Sequence, residues 1–366
     1  MLLNEPITDS QNQAVAIRPL IVSDSDTIRQ YCSPFRHLLF GFEAQGVTSA
    51  MVVPPASDIE SLLFPGAGIV EYPALRFPLF FFQNRKLLLS RMEEINPSII
   101  HCYGISKTLL AKSLSEHLGI PAVITINSGH IGVLDKMIIN KNFEKIIVPS
   151  AQIAEQLRQK GFSQEKISQV NVGTFADESC ACFARPDRLA SMIVPCSFDK
   201  FSDYEPLLGA IRHLSVDGYE FVVVFMGQGR AEGQIRDFIR STGLVQTVTI
   251  SPQMRPLRSV FRGCDILIHP CCFDGYNPAV IEAAAAGLAI AADKNNSEEF
   301  LRDGSTAVLF DCNDELSIYS AIQRLLDNKE LAKSIAQTAQ DCLRSSNSVS
   351  SMVDNLLKIY QAAAHQ

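Results

Sequence analysis

Along most of the chain, short apolar runs alternate with longer stretches in which apolar residues recur every three or four positions. The runs at 17–22, 48–53, 98–102, 121–126 and 145–149 have the length and β-branched content of buried strands. Between them, 37–45 and 107–118 have helical spacing: Leu38, Leu39 and Phe42 share one face of the first, and Gly119 closes the second. Ser150 is placed to cap a helix that Gly161 stops. The rhythm breaks at 178–190, read as a linker, and then restarts. Strands are expected at 192–195, 221–226, 247–250, 265–269 and 288–292, with helices at 205–214, 231–241 and 277–286. In the last helix Met352, Val353, Leu356, Leu357 and Tyr360 form one apolar stripe. Residues 1–17 are polar and irregular and predict a loose arm.

Strand–helix alternation of this kind implies βαβ units and parallel sheets. With 366 residues there is material for two such units. Sheets of this type bind ligands beyond the carboxyl ends of their strands, so the expected site is a cleft between two doubly wound halves.

Composition narrows the function. Hydrophobic residues are 47% and charged residues 19%, a globular balance. The net charge of −7 argues against nonspecific nucleic-acid binding, which needs a basic surface. The ten cysteines are scattered, with no CxxC and no zinc-knuckle spacing, which predicts buried thiols in a reduced, cytoplasmic protein. The first residues lack a basic flank and an apolar stretch, so no secretory leader is expected. No apolar run of about 18 residues predicts a membrane span.

The stretch 269–283, His-Pro-Cys-Cys-Phe-Asp-Gly-Tyr-Asn-Pro-Ala-Val-Ile-Glu-Ala, carries the chemistry. A strand ends, a small-residue turn follows and a helix begins. The first N–H groups of a helix lack intrahelical partners and face the positive end of its dipole. Gly275, Tyr276 and Asn277 therefore make a cradle for a diphosphate, with Gly275 allowing close backbone approach. Glu282 lies deeper in the helix, where a carboxylate can accept two hydroxyls. Asp274 sits in the turn. An acidic residue near a helix start also has an ordinary role in offsetting the dipole.

This stretch resembles the acidic–x7–acidic motif of family 4 glycosyltransferases, Glu-Gly-Phe-Gly-x4-Glu, read here as Asp274-Gly275-Tyr276-Asn277-x4-Glu282. The likeness continues through 283–292, the Glu299-x4-Gly304 spacing and the strand at 307–310. Upstream it includes 221–229 (FVVVFMGQG), 264–270, 97–101, 119–126 and 147–150, and so covers roughly 20–362. The resemblance implies a GT-B fold, two Rossmann-like α/β domains facing across a cleft. The boundaries it implies are an acceptor-side domain at 1–185, a nucleotide-sugar domain at 186–345, and a C-terminal helix at 346–366 packing back on the first domain. It implies transfer of a sugar from a nucleotide diphosphate donor to a glycan or lipid-linked acceptor with retention, needing no metal and no cofactor beyond the donor. In that scheme Lys200 and the 275–277 turn stabilise the leaving diphosphate, Asp274 orients the sugar, and Glu282 holds the ribose. Gly227, Gln228, Pro252 and Met254 border the donor, and Asn127 and His130 stand on the catalytic side. Glu282 would then be replaceable without unfolding the protein.

The chain departs from the family's pattern in places. Cys32-Ser33 falls where a glycine pair is usual, no arginine occurs from 192 to 204, Asn127 takes a histidine's place, Asp274 is a methylene short, and Asn295-Asn296 replaces Gly-Gly. These departures keep open an alternative, a non-catalytic GT-B protein serving as a partner or glycan-binding subunit. The aromatic and cationic segment 76–86 suits either a peripheral contact at the inner face of a membrane or an ordinary core element.

Overall fold

The computed structural model describes residues 16–54, 68–72, 81–270, 275–295 and 298–364. Within them, β1 (Pro19–Val22), β2 (Ala50–Val53), β3 (Gly68–Glu71), β4 (Ile99–Tyr103), β5 (Ala122–Thr125), β6 (Lys145–Val148) and β7 (Ile167–Gln169) form a parallel sheet ordered β3-β2-β1-β4-β5-β6-β7. A second parallel sheet, ordered β10-β9-β8-β11-β12-β13, contains β8 (Ala190–Cys196), β9 (Phe221–Gly227), β10 (Val248–Ser251), β11 (Ile266–His269), β12 (Ala289–Asp293) and β13 (Val308–Phe310). The fold is α/β, with two Rossmann-like sheets of the GT-B kind. Strand order reverses beside β1 in one sheet and beside β8 in the other, which opens a crevice at each carboxyl edge. β1, β2, β4 and β5 are buried along their whole length, which is why they read as unbroken apolar runs rather than alternating ones.

The predicted strands and helices appear with ends shifted by a few residues. The first long helix starts earlier than expected, at Cys32. Ser150 caps its helix by accepting from the Ile153 N–H, and Gly119 ends its helix in the left-handed conformation. Sequence reading did not reveal the helices Ser25–Gln30 and Val133–Asn142. The first is a six-residue polar helix nucleated by Asp24, whose carboxylate accepts from the Asp26 and Thr27 N–H groups. The second buries only Ile139, so its apolar residues do not mark an inward face. The segment 76–86 falls at the start of the helix Phe81–Ile95, and its residues 76–80 lie outside the described residues.

Two segments connect the sheets. The stretch read as a linker at 178–190 is strapped down rather than loose. Ala181 and Cys182 donate to the carbonyls of Ala286 and Gly287, and Phe183 donates to the Asp265 carboxylate. Asp265 also accepts from Ser191 and pairs with Arg188. The return crossing runs beside residues 172–174: Thr174 donates to the Asn347 carbonyl, and the Asn347 amide donates to Val172.

After that crossing, the helix Val349–Ala364 packs on the helix Cys32–Ala44 and on β5 of the first sheet. Met352, Val353, Leu356 and Tyr360 of the expected stripe are buried there. The Tyr360 hydroxyl shares a 2.6 Å hydrogen bond with Nδ1 of the fully buried His101, whose Nε2 lies 2.6 Å from the Thr125 hydroxyl. Burial pushes the His101 pKa down to about 3, so its imidazole is neutral. His269, buried in β11, is held at about 4, again by burial.

Both histidines titrate near 6.5 in the absence of the fold. Below that value the unfolded chain binds more protons than the folded one, and stability falls as the pH drops. From about pH 7 to about pH 5, denaturant unfolding should show losses approaching ~1.4 kcal/mol per pH unit per histidine. Tyr360→Phe should cost about 1–3 kcal/mol in the same measurement at neutral pH, because it strips a buried imidazole of a partner.

Candidate functional site in the interdomain cleft

The helix Pro278–Ala286 organises the site. Asn277 caps it through Oδ1, which accepts from the Ala279 N–H, and Pro278 pre-sets its first turn. All nine helical residues are buried, so this is a core helix with its N-terminus directed at the cleft between the two halves. Part of that N-terminus is already used: the Asn277 N–H donates to Oε1 of the buried Glu298 at 2.8 Å.

The turn before the helix is clamped to the first half. Gly275 has φ of 114°, and a Cβ on it would stand 2.3 Å from the Asn127 carbonyl oxygen, so a side chain is excluded by conformation and by space. The Tyr276 N–H donates to that same carbonyl at 2.9 Å, and the Tyr31 hydroxyl donates to the Tyr276 carbonyl at 2.7 Å. Tyr276 is buried, and burial raises its phenol well above the usual range. Asp274 lies outside the described residues.

A cleft of about 510 Å³ opens at the switch point of the second sheet. Its C-terminal wall includes Cys196, Ser197, Gly227, Gln228, Gln253, Asn277 and Ala279; Asp26, Arg29 and Gln30 close it from the first half. Gly227 is needed for close approach, since a Cβ there would stand 1.9 Å from the Cys196 carbonyl oxygen. Pro252 and Met254 are exposed on either side of Gln253, which lines the cleft. Lys200 is exposed and follows Asp199, another wall residue. Among the described residues lining this cleft the one arginine or lysine is Arg29, which sequence reading missed. Its side chain is 47% exposed and 3.5 Å from Asp26. A short polar helix has no hydrophobic period to reveal it.

A smaller cleft of about 210 Å³ adjoins at Gln30 and lies within the first half, lined by Asp24, Tyr31, Ser106, Asn127 and His130 among others. Burial works to raise the Asp24 carboxyl, but hydrogen bonds from Ser106, from Thr27 and from the Asp26 N–H outweigh it and hold the group below the usual carboxylate range. Asp24 is therefore an ionised acceptor facing Asn127 and His130.

Glu282 departs from expectation. It is 3% exposed and does not line the donor-side cleft. Its Oε1 accepts from the Thr174 hydroxyl at 2.9 Å, and its Oε2 accepts from Arg258 at 2.9 and 3.2 Å. The expected ribose-holding carboxylate is thus occupied by protein donors and joins the site helix to the crossing segment. The reason is a cation 24 residues upstream in sequence that the fold brings against it.

Comparisons with known proteins agree with this architecture. Residues 197–341 match the family model described as glycosyl transferases group 1, and residues 35–174 match that of glycosyltransferase family 4. A glycosyltransferase from Rickettsia africae ESF-5 superposes with a TM-score of 0.78 at 15% identity, covering 95% of this chain and 99% of its own. HepE of Anabaena, in complex with UDP and glucose, gives 0.78 at 11% identity, with 94% and 100% covered. Sucrose-phosphate synthase from Thermosynechococcus elongatus gives 0.76 at 15% identity, with 94% and 98% covered. No curated protein sequence matches the chain.

Breaking the Glu282 pair leaves the Arg258 guanidinium with Asp177 as its remaining carboxylate and removes the acceptor of Thr174. Glu282→Ala should therefore lower unfolding stability by about 1–3 kcal/mol in urea titrations. Glu282→Gln, which keeps an acceptor for Thr174, should cost less.

Proposed function

We propose, on the premise that this is a GT-B protein of the group 1 glycosyltransferases resembling family 4, that it transfers a sugar from a nucleotide diphosphate donor with retention of configuration. The observation that carries this reading is the 510 Å³ cleft at the switch point, where the start of the Pro278–Ala286 helix and the Gly227 loop meet Arg29 from the opposite half. In this reading the diphosphate lies beside Asn277 and Ala279 at the start of that helix and meets the positive end of its dipole, while the Tyr276 and Asn277 N–H groups stay on Asn127 and Glu298. Negative charge grows on it as the glycosidic bond breaks. Cations already in position stabilise that charge without reorganisation. Lys200 supplies one from the C-terminal half, and Arg29 stands in for the arginine missing between 192 and 204. The base lies along Gln253, flanked by Pro252 and Met254.

Asp274 has the role of orienting the sugar, and the acceptor occupies the smaller cleft with Asn127, His130 and the ionised Asp24. Glu282 acts as a positioning residue: through Arg258 it fixes the helix that presents Asn277. The acceptor is a glycan or a lipid-linked sugar, and no cofactor other than the donor takes part.

A thermal-shift screen with UDP-, GDP-, ADP- and dTDP-sugars tests the donor site, because a ligand that binds only the folded chain raises its melting temperature. One nucleotide class should give a clear shift. Silence from all four at millimolar concentration would favour the non-catalytic reading. With the responding nucleotide, Arg29→Ala and Lys200→Ala should each weaken diphosphate binding roughly ten- to a hundredfold while leaving nucleoside binding nearly unchanged. Equal losses for both ligands would remove the phosphate role.

A further inference from the structure

The wall that the first half lends to the donor-side cleft is a helix with little of its own to hold it. Ser25–Gln30 has six residues and buries one of them, Ile28. A helix this short is not stable by itself in water, so its placement depends on what grips its two ends. Asp24 caps the start. The last turn carries Arg29 and Gln30 onto the cleft.

That last turn is held from the opposite half. The Arg255 guanidinium donates to the Arg29 main-chain carbonyl. A cation at this end of a helix also meets the negative end of its dipole. Tyr31 follows the helix directly, and its hydroxyl donates to the Tyr276 carbonyl at 2.7 Å. The helix end is thus tied to the second half at both Arg29 and Tyr31.

The base on which Arg255 stands is fixed in turn. Gln253 and Leu257, two residues to either side, line the cleft. Arg258 is bound to Asp177, Thr174 and Glu282. Arg255 does not itself line the cleft; it grips the main chain of a residue that does. Its contact therefore acts on where the Arg29 side chain stands. Arg29 needs such a reference point: its side chain is 47% exposed, and its ion pair with Asp26 lies within the same helix and gives no anchor on the second half.

We propose that Arg255 is a positioning residue for the donor: by holding the last turn of the Ser25–Gln30 helix, it sets the Arg29 guanidinium across the cleft from the start of the Pro278–Ala286 helix. The inference rests on the diphosphate reading of this cleft. It adds the residue through which the second half controls a cation supplied by the first.

Two measurements on the full chain test it. Hydrogen exchange without ligand reads the helix: Arg255→Ala should speed exchange of the 25–30 amides while both sheets keep wild-type protection. Titration with UDP, GDP, ADP and dTDP reads the consequence. Arg255→Ala should weaken the tightest of the four roughly tenfold, and the double variant Arg29→Ala, Arg255→Ala should bind no more weakly than Arg29→Ala alone, because one residue acts through the other. Arg255→Lys, which keeps a donor for the carbonyl, should recover most of the lost affinity. Wild-type exchange at 25–30 in Arg255→Ala would overturn the proposal. Losses that add in the double variant would also overturn it, since they would put Arg255 on the diphosphate itself. A wild-type chain that binds none of the four would remove the diphosphate reading and this role together, whereas normal binding by Arg255→Ala would remove this role alone.

Discussion

The guanidinium of Arg258 fixes the geometry on which the rest of the molecule depends. It donates to the Phe175 carbonyl at 2.5 Å, to Asp177 at 3.1 Å, to the Thr174 hydroxyl at 2.9 Å and to Glu282 at 2.9 and 3.2 Å. Those partners belong to the segment entering the second half and to the helix whose N-terminus faces the cleft. Leu257, the residue before it, lines that cleft. One planar fork therefore sets the distance between the hinge, the site helix and the cleft wall. A lysine has no fork to reproduce this. The pair is almost fully withdrawn from water, so the cost of desolvating both charges offsets much of their attraction.

That framework explains how an acidic chain can present a site for an anionic ligand. The helix start supplies a positive end, and Arg29 approaches it from the other half. Arg29 is paired in the free protein with Asp26, whose side chain is 89% exposed. An exposed pair of this kind contributes little and is readily exchanged for a stronger anion. Among the described lining residues Arg29 is the cation available to a bound diphosphate, and the local acids Asp26 and Asp199 leave the resting lining slightly negative.

Much of this was legible in the sequence, for physical reasons. Strands buried on both faces read as apolar runs, and capping residues such as Ser150 and Gly119 mark helix ends through local chemistry. Gly227, Gln228 and Asn277 fall on the donor-side cleft, and Asn127 and His130 on the adjoining one, because turn residues at strand ends are local features with fixed positions in this kind of sheet. The protein partners of Glu282 were not legible because Thr174 and Arg258 are distant in sequence. A carboxylate one turn into a helix looks the same whether it meets a sugar or a guanidinium. Arg29 was invisible because a six-residue helix with one apolar residue, Ile28, has no period. The Val133–Asn142 helix was missed because its apolar residues are split between the core, at Ile138 and Ile139, and solvent, at Val133, Leu134 and Met137.

The two crossings have a mechanical consequence. Because Thr174 and Asn347 are hydrogen-bonded, the outgoing and returning chains run as a ribbon rather than as two independent tethers. A ribbon bends readily across its width and resists twisting about its length. The halves are therefore joined by a paired strip, which favours bending across its width over twisting. The Tyr276–Asn127 and Tyr31–Tyr276 hydrogen bonds are among those that any such bending must release.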